Sequence, residues 1–534
     1  MPSSLIPALL VLLVPLLPAQ QDAEPSSEQP STKRRAFIEV EVELAGAEKT
    51  SFSYGFAGSE GWTVYLQSTE GRQGLSAVVG GYGRSAGPEG KSGLTVLFFI
   101  YFFDNSESLV EVQILNDALT QPAGRIEADY KVTYLGKVLG EGRHAFPDQA
   151  GLAFWSGKPR FAPRLDLWTK YTDQLPGAGM ITGLPDESAA RKADPDPVRD
   201  AGAAGGPRNQ YVAAEASRYL YTQDGGYLEQ LLDFVVAQAR RPYHLTGEQG
   251  EPFFHSEHPE AAFVNGRPEP LVYQETFGRV ALTSAQLDSD GYTGWAADSL
   301  DVEELYAAYL LAGSRLARRE LVLIAEELLC TDEVREKNHP QGSAQRFGWT
   351  ARALVRAYQA TGERAYMDGV RRMLESLRQR RIVDGPSRAL VPQDPDPRYF
   401  AAERFERPAM VAVAASAIAL YLREARSDAD ARELLEFCGD LIVDQGFNQD
   451  GGGFYEAYSV QSEARAGDGM ANAGEVLMIP SALVEIAEFA PDEKREKYLA
   501  PARRIFTLNQ MQRFGQPSSL EFHRWLLRAA KEFR

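Results

Sequence analysis

The stretch PAMVAVAASAIALYL, from Pro408 to Leu422, decides the fold class because it is apolar or small at almost every position. A helix of this composition has no polar face and must be buried on every side. Two further stretches have the same character: LYAAYLLAG at Leu305–Gly313 and ANAGEVLMIPSALV at Ala471–Val484. The sequence therefore predicts an interior layer of helices.

Each of these stretches is followed by a charged, amphipathic segment: Arg315–Leu329, Ala429–Ile442 and Lys494–Phe506. Such segments predict half-exposed helices that surround the interior layer, so an inner ring within an outer ring is expected. Helical patterns begin near residues 209, 227, 274, 298, 316, 347, 363, 408, 427, 471, 494 and 519. They make six helical hairpins, and the short pattern near 274 is the weakest of them.

The residues from 36 to 135 have a different pattern, with seven short β-branched and aromatic runs separated by Gly, Ser, Asn and Asp. This pattern is typical of an antiparallel β-sandwich. FIEVEVEL, at Phe37–Leu44, alternates strictly and predicts a strand with one wet face. LTVLFFIYFF, at Leu94–Phe103, is apolar throughout and predicts a central strand.

The other segments complete the predicted domain organisation. Residues 1–20 contain the apolar run SLIPALLVLLVPLLPA and predict a signal peptide, with a retained N-terminal anchor as the alternative. Residues 21–35 have linker composition. Residues 136–207 show no periodicity and predict an irregular connection, and residues 208–534 hold the helical hairpins. Export is therefore expected, to the periplasm, the cell surface or the medium.

Composition narrows the function. The 534-residue chain has 56 basic and 74 acidic residues, and the net charge of −18 argues against nucleic acid as a partner. Cys330 and Cys438 are the two cysteines. They predict buried thiols, with a single bridge as the alternative, so stability should come from packing. No dinucleotide fingerprint, phosphate loop, nucleophile elbow or zinc-protease motif occurs, so neither a cofactor nor a metal is expected.

The successive helical hairpins behind a β-domain resemble the six-hairpin glycosidase-like superfamily of (α/α)₆ toroids. TGWAADSLDVEELYAAYLLAGS and RFGWTARALVRAYQATGERAYMDGVRRML are similar to inner-helix segments of bacterial proteins related to glycoside hydrolases and polysaccharide lyases. The resemblance covers about Asn209 to Arg534. It implies a toroid with a substrate cavity at the mouth of the inner ring, and carbohydrate as the substrate.

Acids near the beginning of one inner helix are the first catalytic candidates. On a helix that advances 100° per residue, Asp298 and Asp301 lie on the same side as the apolar stripe, whereas Glu303 points away. If this helix starts at the mouth, the resemblance implies that both acids face the cavity, with Trp295 as a surface for sugar stacking. Asp298 as N-cap and Asp301 as its reciprocal partner is the structural alternative.

Glycoside cleavage needs a second carboxyl group across the scissile bond. Glu275, Asp396 and Glu456 are the candidates, and Glu456 follows three glycines beside Tyr455. A glycine-rich loop with aromatic side chains is typical of sugar clefts. Glycoside hydrolysis is therefore the leading interpretation.

A polysaccharide lyase is the second interpretation, and a protein that binds glycan without catalysis is the third. A lyase needs a cation for the uronate carboxylate and a base for the α-proton. The candidate side chains for substrate are His255, His258, Tyr273, Arg346, Arg352 and Trp349. Simpler interpretations are that Trp349 belongs to the core and that Arg352 and Arg356 project into solvent. The sugar, the linkage and the oligomeric state do not follow from the sequence.

Overall fold

In the computed structural model, the described residues are 36–55, 58–87, 92–117, 125–146, 150–160, 224–238, 302–329, 343–384, 387–450, 452–467 and 473–510, together with 216, 219, 244, 263, 264, 267, 268, 331 and 334. Ten strands precede the helical part, and nine α-helices occur in this described part of the chain. The predicted signal peptide and linker, and the predicted helices near 209, 274 and 519, lie outside it.

The ten strands form two five-stranded antiparallel sheets that pack face to face. In spatial order, the first sheet contains β3 (Gly58–Glu60), β2 (Thr50–Gly55), β1 (Ala36–Leu44), β8 (Ile126–Tyr134) and β9 (Lys137–Phe146). The second contains β10 (Gly151–Ser156), β7 (Ser108–Leu115), β6 (Thr95–Phe103), β5 (Leu75–Arg84) and β4 (Thr63–Gln67). Of the two runs quoted from the sequence, Phe37–Leu44 lies in β1, and Leu94–Phe103 lies in β6, which begins at Thr95.

The two diagnostic strands behave as their patterns predict. In β1, Ile38, Val40 and Val42 point into the sandwich core, whereas Glu39 and Glu43 are exposed. In the central strand β6, Val96, Phe98 and Ile100 pack against the first sheet, while Leu97, Phe99 and Tyr101 pack against the helices. The strand is apolar throughout because both faces of its sheet are covered.

Two strands lie within residues 136–207, the segment for which the sequence predicts irregular structure. Strands β9 and β10 are the edge strands of the two sheets. Most of β9 is exposed or half-buried, and its sequence KVLGEGRHAF carries no alternation. An edge strand without a fully buried face has little to impose a period of two on its sequence. The division of the chain into five segments stays a prediction.

The helices after residue 301 form four successive hairpins, preceded by α1 (Gly226–Gln238). The hairpins are α2 (Val302–Leu311) with α3 (Arg315–Leu329), α4 (Ala344–Thr361) with α5 (Arg364–Arg380), α6 (Pro408–Glu424) with α7 (Ala429–Leu441), and α8 (Ala473–Phe489) with α9 (Asp492–Gln510). Short strands accompany them: β11 (Phe263–Val264), β12 (Arg267–Pro268), β13 (Phe405–Glu406), β14 (Ala457–Ser459) and β15 (Arg465–Ala466). A single π-helical turn, Ile442–Gly446, follows α7.

The first helices of the hairpins are parallel neighbours. Near the middle of α4, Arg352 donates to Ser416 in α6 (Nη1–Oγ 3.0 Å), and near its end Gln359 donates to Glu424 (3.0 Å). A Cβ on Gly348 of α4 would meet Val413 Cγ1 of α6 at 2.6 Å, so only glycine permits this close approach. The helices α2, α4, α6 and α8 therefore form the interior layer that the sequence predicts.

The two ends of this layer differ in the length of their connections. Residues 312–314, 362–363, 425–428 and 490–491 join the helices within a hairpin, and we call this the turn end. Gly362 ends α4 there with φ of 80°. Residues 330–343, 381–407 and 442–472 join successive hairpins at the opposite end. Among the helices from α2 onward that the structure describes, the longer connections lie at that end.

One predicted outer helix differs from its expectation. Nearly every residue of α3 is buried, including Arg315, Glu320 and Glu327, although the sequence predicts a half-exposed helix. The β-sandwich covers the face that would otherwise be wet: Gln113 of β7 donates to Glu320 (Nε2–Oε1 2.7 Å), and Glu320 also bonds His244 (2.7 Å). Arg315 and Glu320 therefore serve the interface with the sandwich, and neither marks a solvated face.

Polar side chains of the sandwich also hold the turn between α2 and α3. Arg72 donates to the last carbonyls of α2, at Leu310 (2.8 Å) and Tyr309 (2.5 Å). Glu111 accepts from the Ser314 hydroxyl and from the Leu316 amide (3.2 Å), and so caps the beginning of α3. The sandwich is therefore joined to the helices by caps at both sides of one turn.

Two other expectations concern single features. Cys438 is a free, buried thiol, and burial raises its pKa well above the usual value. Cys330 lies outside the described residues. None of the helices in the described part is long and apolar enough to cross a membrane.

Candidate functional site

The end opposite the turn end carries the candidate site. We call it the mouth and define it as residues 390–410 and 446–467 with the first turn of α4. Val460 donates to Arg404 (N–O 3.0 Å), and a Cβ on Gly446 would meet Pro408 Cγ at 2.7 Å. The strands β13, β14 and β15 form one small antiparallel sheet. Two long connections are thus joined at the beginning of α6.

Glu456 lies at the mouth, directly before β14. Its amide donates to Ala466 O (3.0 Å), and its side chain is half-buried. Among the described residues it has no side-chain hydrogen bond or ion pair. Gly467 is next to it, with φ of 87° and no room for a Cβ, which would meet Glu456 Cγ at 2.9 Å. A carboxyl group held by its backbone and otherwise unengaged is suited to acid or base chemistry.

The glycine-rich segment before Glu456 is an ordered turn. Asn448 donates to Gly453 O (2.8 Å), Gly452 donates to Asn448 O (2.8 Å), and the rings of Phe447 and Phe454 lie 5.1 Å apart. Tyr455 follows, half-buried, with its amide on Gly446 O (2.9 Å). The sequence prediction that Tyr455 and Glu456 follow a loop agrees with these positions.

A second group lies on the connection before α6. Asp396 accepts from Arg398 through Nη2 (2.6 Å) and through the backbone amide (2.9 Å), and these hydrogen bonds lower its pKa. The Tyr399 ring has the guanidinium groups of Arg398 and Arg407 at 5.7 and 5.3 Å from its centroid and packs on Phe405 at 5.1 Å. The mouth thus offers an ionised carboxylate and a tyrosine beside two cations.

Beneath this surface lies a carboxyl group that the sequence analysis missed. Glu406 is fully buried and accepts from the amides of Leu390 (2.7 Å) and Val391 (2.8 Å). Burial raises its pKa to about 8, although both amides favour the ionised form. Its strand partner Tyr458 is buried opposite it. Burial therefore favours the protonated form of Glu406 more than is usual for a glutamate, and its two hydrogen bonds hold the connection 390–391 onto the beginning of α6.

Charged residues also meet inside the helical layer, away from the mouth. Glu303 of α2 pairs with Arg352 (3.0 Å) and Arg356 (3.0 Å) of α4, and all three side chains are buried. Ser416 bridges Arg352 to Glu485 of α8. One interpretation of the sequence is that Arg352 and Arg356 project into solvent. That interpretation is wrong, because both side chains are buried and neighbouring inner helices supply their partners.

The remaining candidates divide into two groups. Trp349 is buried in the core and presents no open face for a sugar. Arg346 is half-buried in the first turn of α4, where its amide donates to the N-cap Ser343 (3.1 Å). Seven further candidates lie outside the described residues: Asp298, Asp301, Glu275, Trp295, His255, His258 and Tyr273. The structure therefore places Tyr455 and Glu456 next to each other before β14, and Asp396 on the separate connection before α6. No role is assigned to the others from it.

The described residues contain no group of three or more His, Cys, Asp or Glu side chains arranged to hold a metal. The chemistry available at the mouth is that of carboxyl groups, guanidinium groups and phenols.

No protein-family model matches the sequence, and no curated protein matches it. Among solved structures, the chain is similar to the unsaturated glucuronyl hydrolase of Streptococcus agalactiae: 12% identity over 62% of this chain and 82% of that one, TM-score 0.41. A glycosyl hydrolase family 88 protein of Bacteroides vulgatus has 11% identity over 69% of this chain and 98% of its own, TM-score 0.42.

An α-1,6-mannanase of Salegentibacter sp. HEL1_6, in complex with α-1,6-mannotriose, has 19% identity over 40% of this chain and 58% of its own, TM-score 0.29. The chain covers little more than half of the mannanase. Identities and TM-scores this low transfer neither a reaction nor a catalytic residue.

Proposed function

We propose that the protein is an exported glycoside hydrolase that binds a glycan at the mouth of an (α/α)₆ toroid. The observation that carries the proposal is Glu456, a half-buried carboxyl group at the mouth that no described side chain engages. Catalytic acids stand ready for substrate in this way, whereas structural carboxylates are normally paired. The four described hairpins would be part of a closed ring of six.

Glycoside hydrolysis divides two roles between two carboxyl groups, one that donates a proton and one that is ionised. We assign Glu456 to proton transfer. Asp396 is a candidate for the ionised partner, because the hydrogen bonds from Arg398 lower its pKa. Asp298 and Asp301, which lie outside the described residues, remain candidates for the same role from the sequence.

The first experiment measures release of reducing ends from neutral and uronic-acid polysaccharides by the wild type and by Glu456→Gln. Glu463→Gln, an exposed acid on the same segment, is the matched control. We expect turnover that falls at least about a hundredfold in Glu456→Gln, the usual contribution of a positioned acid, and is unchanged in the control. Turnover that survives Glu456→Gln would remove this residue from the chemistry.

Elimination from a uronic-acid glycan is the second candidate, and the position of Tyr399 beside Arg398 and Arg407 favours it. In its phenolate form, Tyr399 would take the α-proton while a guanidinium group neutralises the carboxylate. The C–O bond to the leaving sugar then breaks as the double bond forms, and the phenol so produced would return the proton to the leaving oxygen. The same digestions decide between the reactions, because elimination creates an unsaturated uronide that absorbs ultraviolet light. If ultraviolet absorbance increases together with the number of reducing ends, and both are lost in Tyr399→Phe, the reaction is elimination and the proposal of hydrolysis is wrong. Glycan retained without release would indicate a binding protein.

Export is proposed from the apolar run at residues 4–19, of signal-peptide length. Cell fractionation of the full chain in a bacterial host, beside a variant that lacks residues 2–20, tests it. The full chain should leave the cytoplasm and the shortened one should stay. Retention of both in the cytoplasm would contradict export, and mature protein in the membrane fraction would indicate a retained anchor.

A further inference from the structure

A groove of about 690 Å³ lies on the outside of the helical layer, away from Glu456. One wall is the exposed stripe of α7, the other is the segment after α5, and the turn between α6 and α7 forms one end. Four arginines line it: Arg381, Arg388, Arg426 and Arg432. The lining also contains three carboxylates: Glu433, Glu436 and Asp440.

The carboxylates of the groove do not neutralise all of these arginines. Each of the three has a cation of its own: Glu433 binds Arg381 at 2.5 Å, Glu436 binds Lys494, and Asp440 binds Lys497 at 2.7 Å. In the described part of the chain, Arg426 and Arg432 have no carboxylate partner. Arg432 donates only to the carbonyl oxygen of Arg426 (2.9 Å). Two exposed guanidinium groups are thus left at one end of the groove.

The other two arginines are held in place by an aromatic ring. Arg381 and Arg388 lie over the Phe437 ring, at 5.3 and 5.8 Å from its centroid. Arg388 also pairs with Asp444 (3.0 Å). Val383, half exposed, adds an apolar surface beside them. Cations together with apolar surface suit a ligand that carries anionic groups on a carbon framework.

The groove is continuous with the mouth along the chain. Arg388 lines the groove, and two residues later the amide of Leu390 is bound by Glu406, directly before α6. The groove and the mouth are therefore two sides of one connection, residues 381–407. Arg426 lies in the turn between α6 and α7, so the unpaired arginines are at the turn end of the helical layer. A ligand that contacts both these arginines and the mouth must therefore be a polymer, because a small ion cannot span the two ends.

We propose that this groove is an accessory site for an acidic glycan, whose carboxylate or sulfate groups bind Arg426 and Arg432. This inference rests on the proposed function, because it takes a glycan as the substrate. The inference adds two points to the proposed function: the substrate is anionic, and the substrate binds in the groove as well as at the mouth. The negative charge of the whole molecule then restricts acidic chains to this groove.

The test measures binding of polygalacturonate to the Glu456→Gln protein, because this variant should not cleave the polymer during the measurement. Dextran, a neutral polymer, is the control ligand. Arg426→Ala with Arg432→Ala removes the unpaired arginines, and Arg364→Ala with Arg503→Ala removes two exposed arginines elsewhere. We expect polygalacturonate to bind, and the groove variant to lose about tenfold in affinity while the control loses none. The binding should weaken as salt rises from 0.05 to 0.5 M NaCl, as charge screening requires.

Three results would overturn the inference: equal loss in both double variants, equal binding of dextran, or binding of inorganic phosphate with no binding of polygalacturonate. Turnover is measured in parallel on proteins that keep Glu456: the wild type and the two double arginine variants. Comparison of turnover with binding separates this inference from the proposed function. Binding that depends on the groove without turnover of any glycan would refute the reaction and leave the accessory site. Turnover with binding that ignores Arg426 and Arg432 would refute the accessory site alone.

Discussion

The interior of the helical layer and its mouth both contain charged residues, but they use them differently. Glu303 meets Arg352 and Arg356 out of contact with water, and each has its partners on neighbouring inner helices. At the mouth, Glu456 is half-buried and has no side-chain partner among the described residues. Pairing identifies the first set as structural, and its absence marks Glu456 as available for substrate. Burial and pairing therefore separate two roles that residue type alone does not.

The largest expected loss of stability is in the interior. Arg356→Met removes one of the two cations that neutralise Glu303 in a buried site. We expect the free energy of unfolding to fall by about 3–5 kcal/mol, measured by denaturant titration. Arg503→Met, which breaks an exposed pair with Glu496, should cost at most about 1 kcal/mol. If the two variants lose the same free energy of unfolding, burial does not make the interior pair more important for stability than the exposed pair.

The next effect concerns the buried carboxyl beneath the mouth. The pKa of Glu406 is about 8 in the folded protein against an ordinary 4.5, so the native state holds a proton that the unfolded state loses. Its contribution should make stability fall as pH rises from about 4.5 to 8, by up to about 5 kcal/mol.

Denaturant titrations of the wild type and of Glu406→Gln across this pH range measure that contribution. The glutamine variant keeps a neutral side chain of the same shape, so its stability should depend less on pH. If both proteins show the same slope, Glu406 is not the group that titrates.

A smaller effect is expected at Gly467, where φ is 87° and a Cβ would meet Glu456. Gly467→Ala should cost about 1–2 kcal/mol in stability, because alanine is strained in this conformation. Turnover should fall further than stability explains, since the new methyl group displaces Glu456. Thermal melting and kinetics at saturating substrate, measured on one preparation, compare the two losses. Unchanged kinetics would indicate that the position of Glu456 is unimportant.

The smallest effect on stability is expected for Asp396→Asn. Its bonds to Arg398 are at the surface, so the melting temperature should be unchanged within error. If Asp396 is the ionised partner in hydrolysis, turnover should nevertheless collapse, because an amide carries no negative charge. A loss of turnover here with an intact fold would complete the contrast between mouth and interior. Full turnover would return the role to Asp298 or Asp301.

Several features of the fold were predictable because the burial or exposure of each face of a strand or helix determines which residue types occur on it. The alternation of β1 reflects a single wet face, and the uniform apolarity of β6 and α6 reflects burial on both or all sides. Helix existence was predictable for the same reason. In contrast, the burial of α3 was not predicted, since its charges bind residues of the sandwich more than 200 positions away, as Glu320 binds Gln113. A periodic pattern cannot identify a distant polar partner.

In the candidate site, too, some residues were predictable from the sequence and others were not. The glycines before Glu456 marked a turn with a carboxyl group after it, a local signal that the sequence carries by itself. Glu406 gave no such signal, because its raised pKa depends on burial and on the amides of Leu390 and Val391. The groove at Arg426 and Arg432 is likewise made by segments that meet only in three dimensions.

What the sequence by itself determined was the order of the helices after residue 301 and of the strands up to β8, the interior helices and the chemistry available to the chain, because hydrophobic periodicity and residue type are local properties. The tertiary structure alone decided which charges are paired, which end of the helices carries the long connections, and that Trp349, Arg352 and Arg356 are interior residues. The physical reason is that burial, pKa and pairing depend on neighbours brought together by packing, and the cost of an unpaired charge exists only once water has been excluded.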